Sequence, residues 1–176
     1  MQQRWIFGYG SLMWNPGFEF VSQTHARIRG FHRSLCVYSL HHRGTEAKPG
    51  LVLGLDRGGS CVGVAFQIEP SKWDATMIYL RTREQVSMVY LETLRRVEIL
   101  GSHQKVEAAT YVVDRSHSQY AGKLSHQSLL KHVLQGEGGM GSCQEYVTNT
   151  LDHMRQMNIY DKTLEAIDAQ LKLSGG

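Results

Sequence analysis

The stretch RWIFGYGSLMWNPGF, residues 4–18, joins a strand-like segment to a glycine-rich loop. Its first residues are aromatic and β-branched, as in a buried strand, and a Pro-Gly pair near its end predicts a turn. Gly8 and Gly10 flank Tyr9 where the strand-like part ends. Because glycine has no Cβ, such a loop either turns sharply or lets a ligand approach its backbone N–H groups. The stretch therefore predicts a buried strand followed by an ordinary turn or by a binding loop.

Further strand-like segments fill most of the first two thirds of the chain. They are HARIRGFHRSLCVYS (25–39), LVLGLD (51–56), CVGVAFQI (61–68), MVYLETLRRVEI (88–99) and KVEAATYVV (105–113). The tetrapeptide RGGS at 57–60 separates two of these segments and predicts a β-hairpin. Gly101-Ser102-His103 predicts a second turn, between the last two segments.

Helical patterns occur once between these strands and then throughout the last third. Trp73, Met77 and Leu80 are spaced so that they share one helical face. Three later amphipathic runs each follow a residue that commonly caps a helix: Ser125, Ser142 (with Glu145 in an S-x-x-E capping box) and Asp161. Strands early and helices late, without regular βαβ alternation, indicate an α+β fold. We expect one domain, residues 1–176, with a curved, barrel-like mixed β-sheet and helices packed around it.

Composition excludes several classes of partner. The chain has 19 Lys and Arg against 16 Asp and Glu, a net charge of +3, and its basic residues are interspersed with acidic ones. We therefore expect no nucleic-acid partner. The apolar stretches have only strand length and residues 1–20 lack a signal-peptide pattern, so we expect no membrane association. Three separated cysteines without a C-x-x-C pair indicate free thiols and a cytoplasmic location.

Three familiar motifs are not supported. GEGGMG at 136–141 matches G-x-G-x-x-G, but a predicted helix precedes it where a dinucleotide-binding loop needs a strand. We interpret it as a helix end and a loop. The nine histidines show no metal-ligand spacing, so no metal is expected. Ser11 lies in G-Y-G-S-L-M, which lacks the second glycine of a serine-hydrolase G-x-S-x-G motif.

Five segments in order resemble the γ-glutamylcyclotransferases, and among them the ChaC-like, glutathione-specific branch. They are FGYGSLMWNPGF (7–18), HRGTEAKPGLVLGL (42–55), GVAFQI (63–68), YLRTRE (79–84) and EYV (145–147). The segments cover most of the chain. The resemblance implies the barrel-like α+β fold of that family and release of 5-oxoproline from a γ-glutamyl compound, glutathione above all. The substrate's own α-amino group attacks its γ-carbonyl, so no cofactor is expected.

The resemblance also implies roles for particular residues. The glutamate of the Y-L-x-x-R-E segment, the general acid/base of that family, is Glu84. The loop that holds the γ-glutamyl group comprises Gly8, Tyr9, Gly10, Ser11, Leu12 and Met13. Backbone N–H groups of residues 8–12 could bind the substrate's α-carboxylate or the developing oxyanion. Arg43 and Lys48 could meet the glycyl carboxylate of glutathione, and Tyr146 could hydrogen-bond near the site.

Other interpretations remain open from the residues alone. Glu84 could be a surface glutamate paired with Arg81 or Arg83, and Arg43 and Lys48 could belong to a solvated loop. Tyr146 could simply pack at the start of a capped helix. The alternatives for the whole chain are a cyclotransferase for γ-glutamyl amino acids or γ-glutamylamines, a non-catalytic protein that binds γ-glutamyl ligands, and an interaction scaffold.

Overall fold

A closed barrel of five strands is the main feature of the computed structural model, which describes residues 3–175. Its strands are β1 (Arg4–Gly8), β2 (Ser22–Ser39), β3 (Gly50–Ile68), β4 (Tyr90–Ile99) and β5 (Lys105–Val113). Their order around the barrel is β1-β3-β2-β4-β5. β1 pairs antiparallel with β3 and parallel with β5, which makes the sheet mixed. The predicted α+β class with a barrel-like mixed sheet is confirmed.

The apolar character of the first strand follows from its position. β1 lies between two neighbours, with Ile6 opposite Phe66 on β3 and opposite Ala109 on β5. Ile6 is 0% and Phe7 1% exposed. A strand paired on both edges and covered on both faces needs apolar side chains along its length. The strand predicted at residues 4–7 is therefore confirmed and belongs to the core.

The hairpin predicted at RGGS is wrong, because residues 50–68 form the single strand β3. Gly58 and Gly59 lie inside it with φ of 101° and 69°. β3 runs beside β2: His32 Nδ1 lies 2.9 Å from the Gly58 carbonyl oxygen, and Val21 N donates to Gln67 O at 2.8 Å. Two adjacent residues in the left-handed region are tolerated here because both are glycines, and they bend the strand without reversing it.

The second predicted turn does connect two strands. β4 and β5 pair antiparallel, with Glu98 opposite Lys105 at one end and Tyr90 opposite Val113 at the other. Ile99 N donates to Gln104 O at 2.8 Å across the turn. Counted outward from this turn, the register places Glu92 directly opposite Tyr111.

The predicted helices and their caps are confirmed. The helices are α1 (Trp73–Glu84), α2 (His126–Gln135), α3 (Cys143–Gln156) and α4 (Lys162–Ser174). The side chains of Ser125, Ser142 and Asp161 each accept a hydrogen bond from a backbone N–H of the following first turn. Gly136 ends α2, as predicted, and the rest of GEGGMG forms a short hairpin of β6 (Glu137–Gly138) and β7 (Gly141–Ser142) instead of an irregular loop.

The described chain divides into two compact units. The first contains residues 3–33 and 55–114, and the second contains residues 34–54 and 115–175. The first unit holds β1, α1, β4 and β5, and the second holds α2, α3 and α4. The three cysteines are free and buried, as predicted. Within residues 3–175, every helix is too short or too polar to span a lipid bilayer.

A glycine of β3 makes room for the end of β1. A Cβ added to Gly63 would fall on the Gly8 carbonyl oxygen and within 3.0 Å of the Phe7 ring. We expect Gly63→Ala to lower the free energy of unfolding in urea by about 1–3 kcal/mol, because backbone must move. Gly139→Ala is the control, since its Cβ would approach nothing closer than 3.6 Å. Equal stability of the two variants would contradict this account of Gly63.

Candidate active site

The loop after β1 turns back on itself through a short 3-10 turn, Ser11–Met13. Met13 N donates to Gly10 O at 2.9 Å, and Asn15 N donates to Ser11 O at 2.8 Å. Leu12 and Met13 are buried and anchor the turn, whereas Ser11 is exposed. The N–H groups of Ser11 and Leu12 begin the turn, so they have no partner within it. Two successive backbone donors at the start of a turn are the kind of group that an anion-binding loop contains.

Arg33 on β2 holds this loop from its buried side. Its Nε donates to Tyr9 O at 2.6 Å, and a terminal nitrogen donates to Val62 O at 2.7 Å. Arg33 is only 8% exposed and Tyr9 8%. The sequence pattern did not single out Arg33, because a cation within an otherwise ordinary strand gives no sign of the carbonyl groups it faces in the fold.

Arg83 joins the same loop to the last turn of α1. One terminal nitrogen donates to Ser11 Oγ at 3.0 Å, and the other donates to Asn15 O at 2.7 Å. The second nitrogen also lies 3.2 Å from Pro16 O and 3.2 Å from the Tyr79 hydroxyl. These contacts fix the exposed part of the loop against the end of the helix. The residue after Arg83 is Glu84, so the loop and Glu84 are held in one arrangement.

Glu84 is the last residue of α1, and its side chain is 19% exposed. Its Oε1 lies 3.3 Å from Arg83 Nε, so the predicted alternative pairing with Arg83 does occur. Burial nevertheless raises the pKa of Glu84 above its ordinary value, and the nearby Arg83 charge offsets only part of that effect. A carboxylate of this kind can take a proton from a ligand more readily than an exposed one. Glu84 is therefore not a surface glutamate.

The pKa of the Glu92 carboxylate on β4 is shifted in the opposite direction, below its ordinary value. Arg81 donates to both of its oxygens, at 2.8 and 2.9 Å, and Tyr111 donates to Oε2 at 3.0 Å. The hydrogen bond from Arg81 is the main cause of the lowered pKa of Glu92. The pKa values of Glu84 and Glu92 are thus moved in opposite directions by their different surroundings. Arg81 therefore pairs with Glu92 and not with Glu84.

Arg43 and Tyr146 come together in the second unit. The Arg43 guanidinium carbon lies 5.6 Å from the centroid of the Tyr146 ring, and a terminal nitrogen lies 3.3 Å from Ser142 O. The Tyr146 hydroxyl accepts a hydrogen bond from Leu53 N at 3.0 Å. Lys48 is exposed. The contacts of Arg43 and Tyr146 order the start of α3. The roles of Arg43, Lys48 and Tyr146 toward a substrate stay predictions.

No group of three or more His, Cys, Asp or Glu side chains is arranged to hold a metal ion among residues 3–175. The ionisable groups described above include Glu84 with its partner Arg83, and the hydrogen-bonded set of Arg81, Glu92 and Tyr111.

The raised pKa of Glu84 predicts a specific pH dependence of stability. The folded chain keeps the Glu84 proton to a higher pH than the unfolded chain, whose Glu84 titrates near 4.5. Between these two pKa values, rising pH therefore lowers the free energy of unfolding. Above the folded-state pKa, the full cost of holding a charged Glu84 in the fold is present. Glu84→Gln carries no charge, so we expect a higher melting temperature than the native chain at about pH 8 and none of that advantage below about pH 4.

The matched control for that measurement is Glu98→Gln. Neighbours, chiefly His103, lower the pKa of Glu98, so its loss is not expected to stabilise the fold at high pH. A melting temperature of Glu84→Gln equal to or below that of the native chain at about pH 8 would show that Glu84 carries no burial penalty.

Comparison with known proteins identifies the family of the chain. A family model described as ChaC-like protein matches residues 4–173. The chain is 29% identical to the glutathione-specific γ-glutamylcyclotransferase of Escherichia coli (strain K12), over 96% of this chain and 72% of that protein. It is 32% identical to glutathione-specific γ-glutamylcyclotransferase 1 of Danio rerio, over 95% of this chain and 88% of that protein.

A solved structure shares the fold. The crystal structure of a γ-glutamyl cyclotransferase specific to glutathione from yeast superposes with a TM-score of 0.85 at 21% identity, over 98% of this chain and 96% of that chain. The family match spans almost all described residues, including the Gly8–Met13 loop and Glu84. The chain therefore belongs to the ChaC-like protein family.

Proposed function

We propose that this protein is a γ-glutamylcyclotransferase that acts on glutathione and releases 5-oxoproline and cysteinylglycine. The observation that carries the proposal is Glu84, a partly buried carboxylate with a raised pKa that Arg83 connects to the glycine-rich loop. The relatives named glutathione-specific γ-glutamylcyclotransferase support the choice of substrate.

The chemistry needs few groups from the protein. The α-nitrogen of the glutamyl group forms a bond to the γ-carbonyl carbon, and the amide bond from that carbon to the cysteinyl nitrogen breaks. The ammonium must first lose a proton, and the departing nitrogen must gain one. Glu84 accepts the first proton and returns one to the leaving amine. Holding nucleophile and carbonyl in contact contributes about 7–11 kcal/mol in favourable cases, so positioning is the protein's second task.

The Gly8–Met13 loop is proposed to do that positioning. The N–H groups at the start of the Ser11–Met13 turn would bind either the α-carboxylate of the glutamyl group or the oxyanion that forms at its γ-carbon. Tyr9, Gly10 and the Ser11 hydroxyl would line the same side, with Ser11 already oriented by Arg83. Leu12 and Met13 are buried and would act by holding the turn in shape.

Arg43, Lys48 and Tyr146 are proposed to recognise the rest of the peptide. Two cations in the segment HHRGTEAKPG suit a substrate that carries its own carboxylate, as the glycyl end of glutathione does. The side chain of Arg43 is 16% exposed and stacks on Tyr146, which restricts its motion. An ordered guanidinium loses less entropy when it binds a carboxylate than a flexible one does.

Product analysis with matched substrates tests the proposal. Purified protein is incubated with glutathione, with γ-glutamyl-alanine and with a γ-glutamylamine, and 5-oxoproline is quantified by mass spectrometry. We expect turnover of glutathione and little of the other two. Turnover of γ-glutamyl-alanine alone would contradict the assigned substrate. Thermal stabilisation by glutathione with no 5-oxoproline would instead indicate a binding protein.

We also infer a cytoplasmic location and a single folding domain of residues 1–176. Three free, buried thiols support a reducing compartment. The strands β2 and β3 each contribute residues to both compact units, which supports cooperative unfolding. One coincident transition by circular dichroism and by tryptophan fluorescence in urea is expected.

A further inference from the structure

Arg83 contacts both parts of the candidate site within the first unit. One of its terminal nitrogens lies 3.0 Å from Ser11 Oγ, the other lies 2.7 Å from Asn15 O, and its Nε lies 3.3 Å from Glu84 Oε1. The guanidinium is planar and carries its five N–H groups in a fixed fork, so contacts in three directions hold it in one orientation. The reaction outlined above leaves the direction of the Ser11 hydroxyl open.

The loop and the helix restrain the Arg83 guanidinium from two further sides. The nitrogen that bonds to Asn15 O also donates to Pro16 O at 3.2 Å and to the Tyr79 hydroxyl at 3.2 Å. A Cβ on Gly17 would collide with that hydroxyl, so the glycine lets the loop lie directly against Tyr79. The side chain of Arg83 is 21% exposed. Arg83 is therefore fixed in place by the folded chain itself.

The contact between Arg83 and Ser11 sets the direction of the Ser11 hydroxyl proton. A guanidinium can only donate hydrogen bonds, so Ser11 Oγ is the acceptor and its own proton points away from Arg83. Among residues 3–175, no protein acceptor receives that proton. Ser11 is exposed, and its hydroxyl is consequently a donor toward a ligand on the exposed side of the loop.

The charge of Arg83 selects which end of a γ-glutamyl group suits Ser11. A cation whose nitrogen lies 3.0 Å from Ser11 Oγ attracts a negatively charged oxygen there and repels an ammonium group. The backbone N–H groups at the start of the Ser11–Met13 turn favour the same sign of charge. The α-ammonium group is then left to the carboxylate of Glu84.

We infer that Arg83 is a positioning residue for the reaction: it makes the Ser11 hydroxyl a hydrogen-bond donor to a negatively charged oxygen of the glutamyl group. That oxygen belongs to the α-carboxylate or to the oxyanion that forms at the γ-carbon. The inference rests on the proposed function, because it takes the glutamyl group as the ligand of the Gly8–Met13 loop. Arg83 acts through Ser11 and is not itself placed against the substrate.

A double-variant cycle of Ser11→Ala and Arg83→Met tests the inference. The kcat and KM for glutathione are measured on the pH plateau of each variant, because loss of the Arg83 charge also raises the pKa of Glu84. We expect Ser11→Ala to lower kcat/KM by about 10-fold or more in the native chain, as for a hydrogen bond to a charged group. In Arg83→Met, where the hydroxyl is no longer directed, the same change should cost about 3-fold or less. An equal loss in both backgrounds would overturn the inference.

The kinetic parameter that changes separates positioning from a merely structural role. A hydrogen bond to the α-carboxylate exists in the bound substrate, so its loss raises KM, whereas a bond to the oxyanion forms only in the transition state, so its loss lowers kcat. In either case Arg83→Met should change the same parameter as Ser11→Ala. A change confined to the other parameter would show that Arg83 does not act through Ser11.

Two variants on β2 are matched controls for the cycle. Ser22→Ala and Arg29→Met make the same chemical changes at exposed side chains, and both should keep the native kcat and KM.

Ser11→Ala alone gives a test that does not need Arg83→Met to fold. Ser11 is exposed, so its replacement should leave the melting temperature close to that of the native chain. A folded Ser11→Ala chain with native kcat and KM would contradict the inference. Turnover of glutathione by the native chain, measured alongside, keeps a failure here distinct from a failure of the proposed function.

Discussion

Replacing Glu84 with glutamine is expected to lower kcat for 5-oxoproline release from glutathione by about 10²–10⁴-fold, the usual contribution of a general acid/base. Glutamine has nearly the shape of glutamate and cannot accept the proton of the α-ammonium group. The side chain is 19% exposed, so the substitution also removes a partly buried charge and should not unfold the chain. Initial rates of 5-oxoproline formation at saturating glutathione give the comparison.

Glu98→Gln is the control for that measurement. It makes the same chemical change on β4, at a side chain that pairs with Arg29 and His103. Native-like turnover by Glu98→Gln beside the loss in Glu84→Gln would place the base at residue 84. Turnover that survives in Glu84→Gln would mean that another group removes the proton.

The second large effect is expected for Arg33→Met, on stability. Methionine fills much of the arginine volume but leaves Tyr9 O and Val62 O without this buried donor. Hydrogen bonds to a charged donor contribute about 1.5–3 kcal/mol each, so a loss of a few kcal/mol in the free energy of unfolding is expected. Because Tyr9 lies in the Gly8–Met13 loop, the variant should also raise KM. Urea denaturation followed by fluorescence measures the first effect.

Arg29→Met, on the same strand, provides the comparison. The Arg29 side chain is 70% exposed and its nitrogen lies 3.7 Å from Glu98 Oε2, a distance at which an exposed pair contributes little. A similar loss of stability in Arg29→Met and Arg33→Met would contradict a specific role of Arg33 in holding the loop.

The sequence predicted the elements whose signals are local. Ser125, Ser142 and Asp161 cap helices as expected, because capping involves atoms within one helical turn. The apolar run of β1 was recognisable because a strand paired on both edges carries no polar face. The turn at Gly101-Ser102 also gave the correct pairing of two strands.

The RGGS segment shows where local signals fail. Its two adjacent glycines suit a hairpin turn and equally suit a bend inside a strand, since both need positive φ. What decides between them is the pairing of β3 with β2 in the barrel. His32 on β2 lies 26 residues before Gly58, and a partner at that separation is not visible in a local pattern. At this position the pairing of strands in the folded chain overrides the local propensity for a turn.

The residues of the candidate site also differ in how far the sequence could predict them. Glu84 stood out only through the family resemblance, because burial and not spacing distinguishes it from a surface ion pair. Glu92 and Tyr111 could have been found from the turn at Gly101-Ser102, whose register sets them opposite each other. Arg33 could not have been found from the sequence, because the carbonyl groups that it binds come from two other segments of the first unit.

The central claim is that the substrate cyclises onto itself, and oxygen labelling tests it most directly. Glutathione is converted by the native protein in water enriched in ¹⁸O, and the glutamyl product is analysed by mass spectrometry. Attack by the α-amino group adds no water, so the account predicts 5-oxoproline without ¹⁸O and an equal amount of cysteinylglycine. Glutamate that carries ¹⁸O in its γ-carboxyl group would show hydrolysis by water and contradict the account.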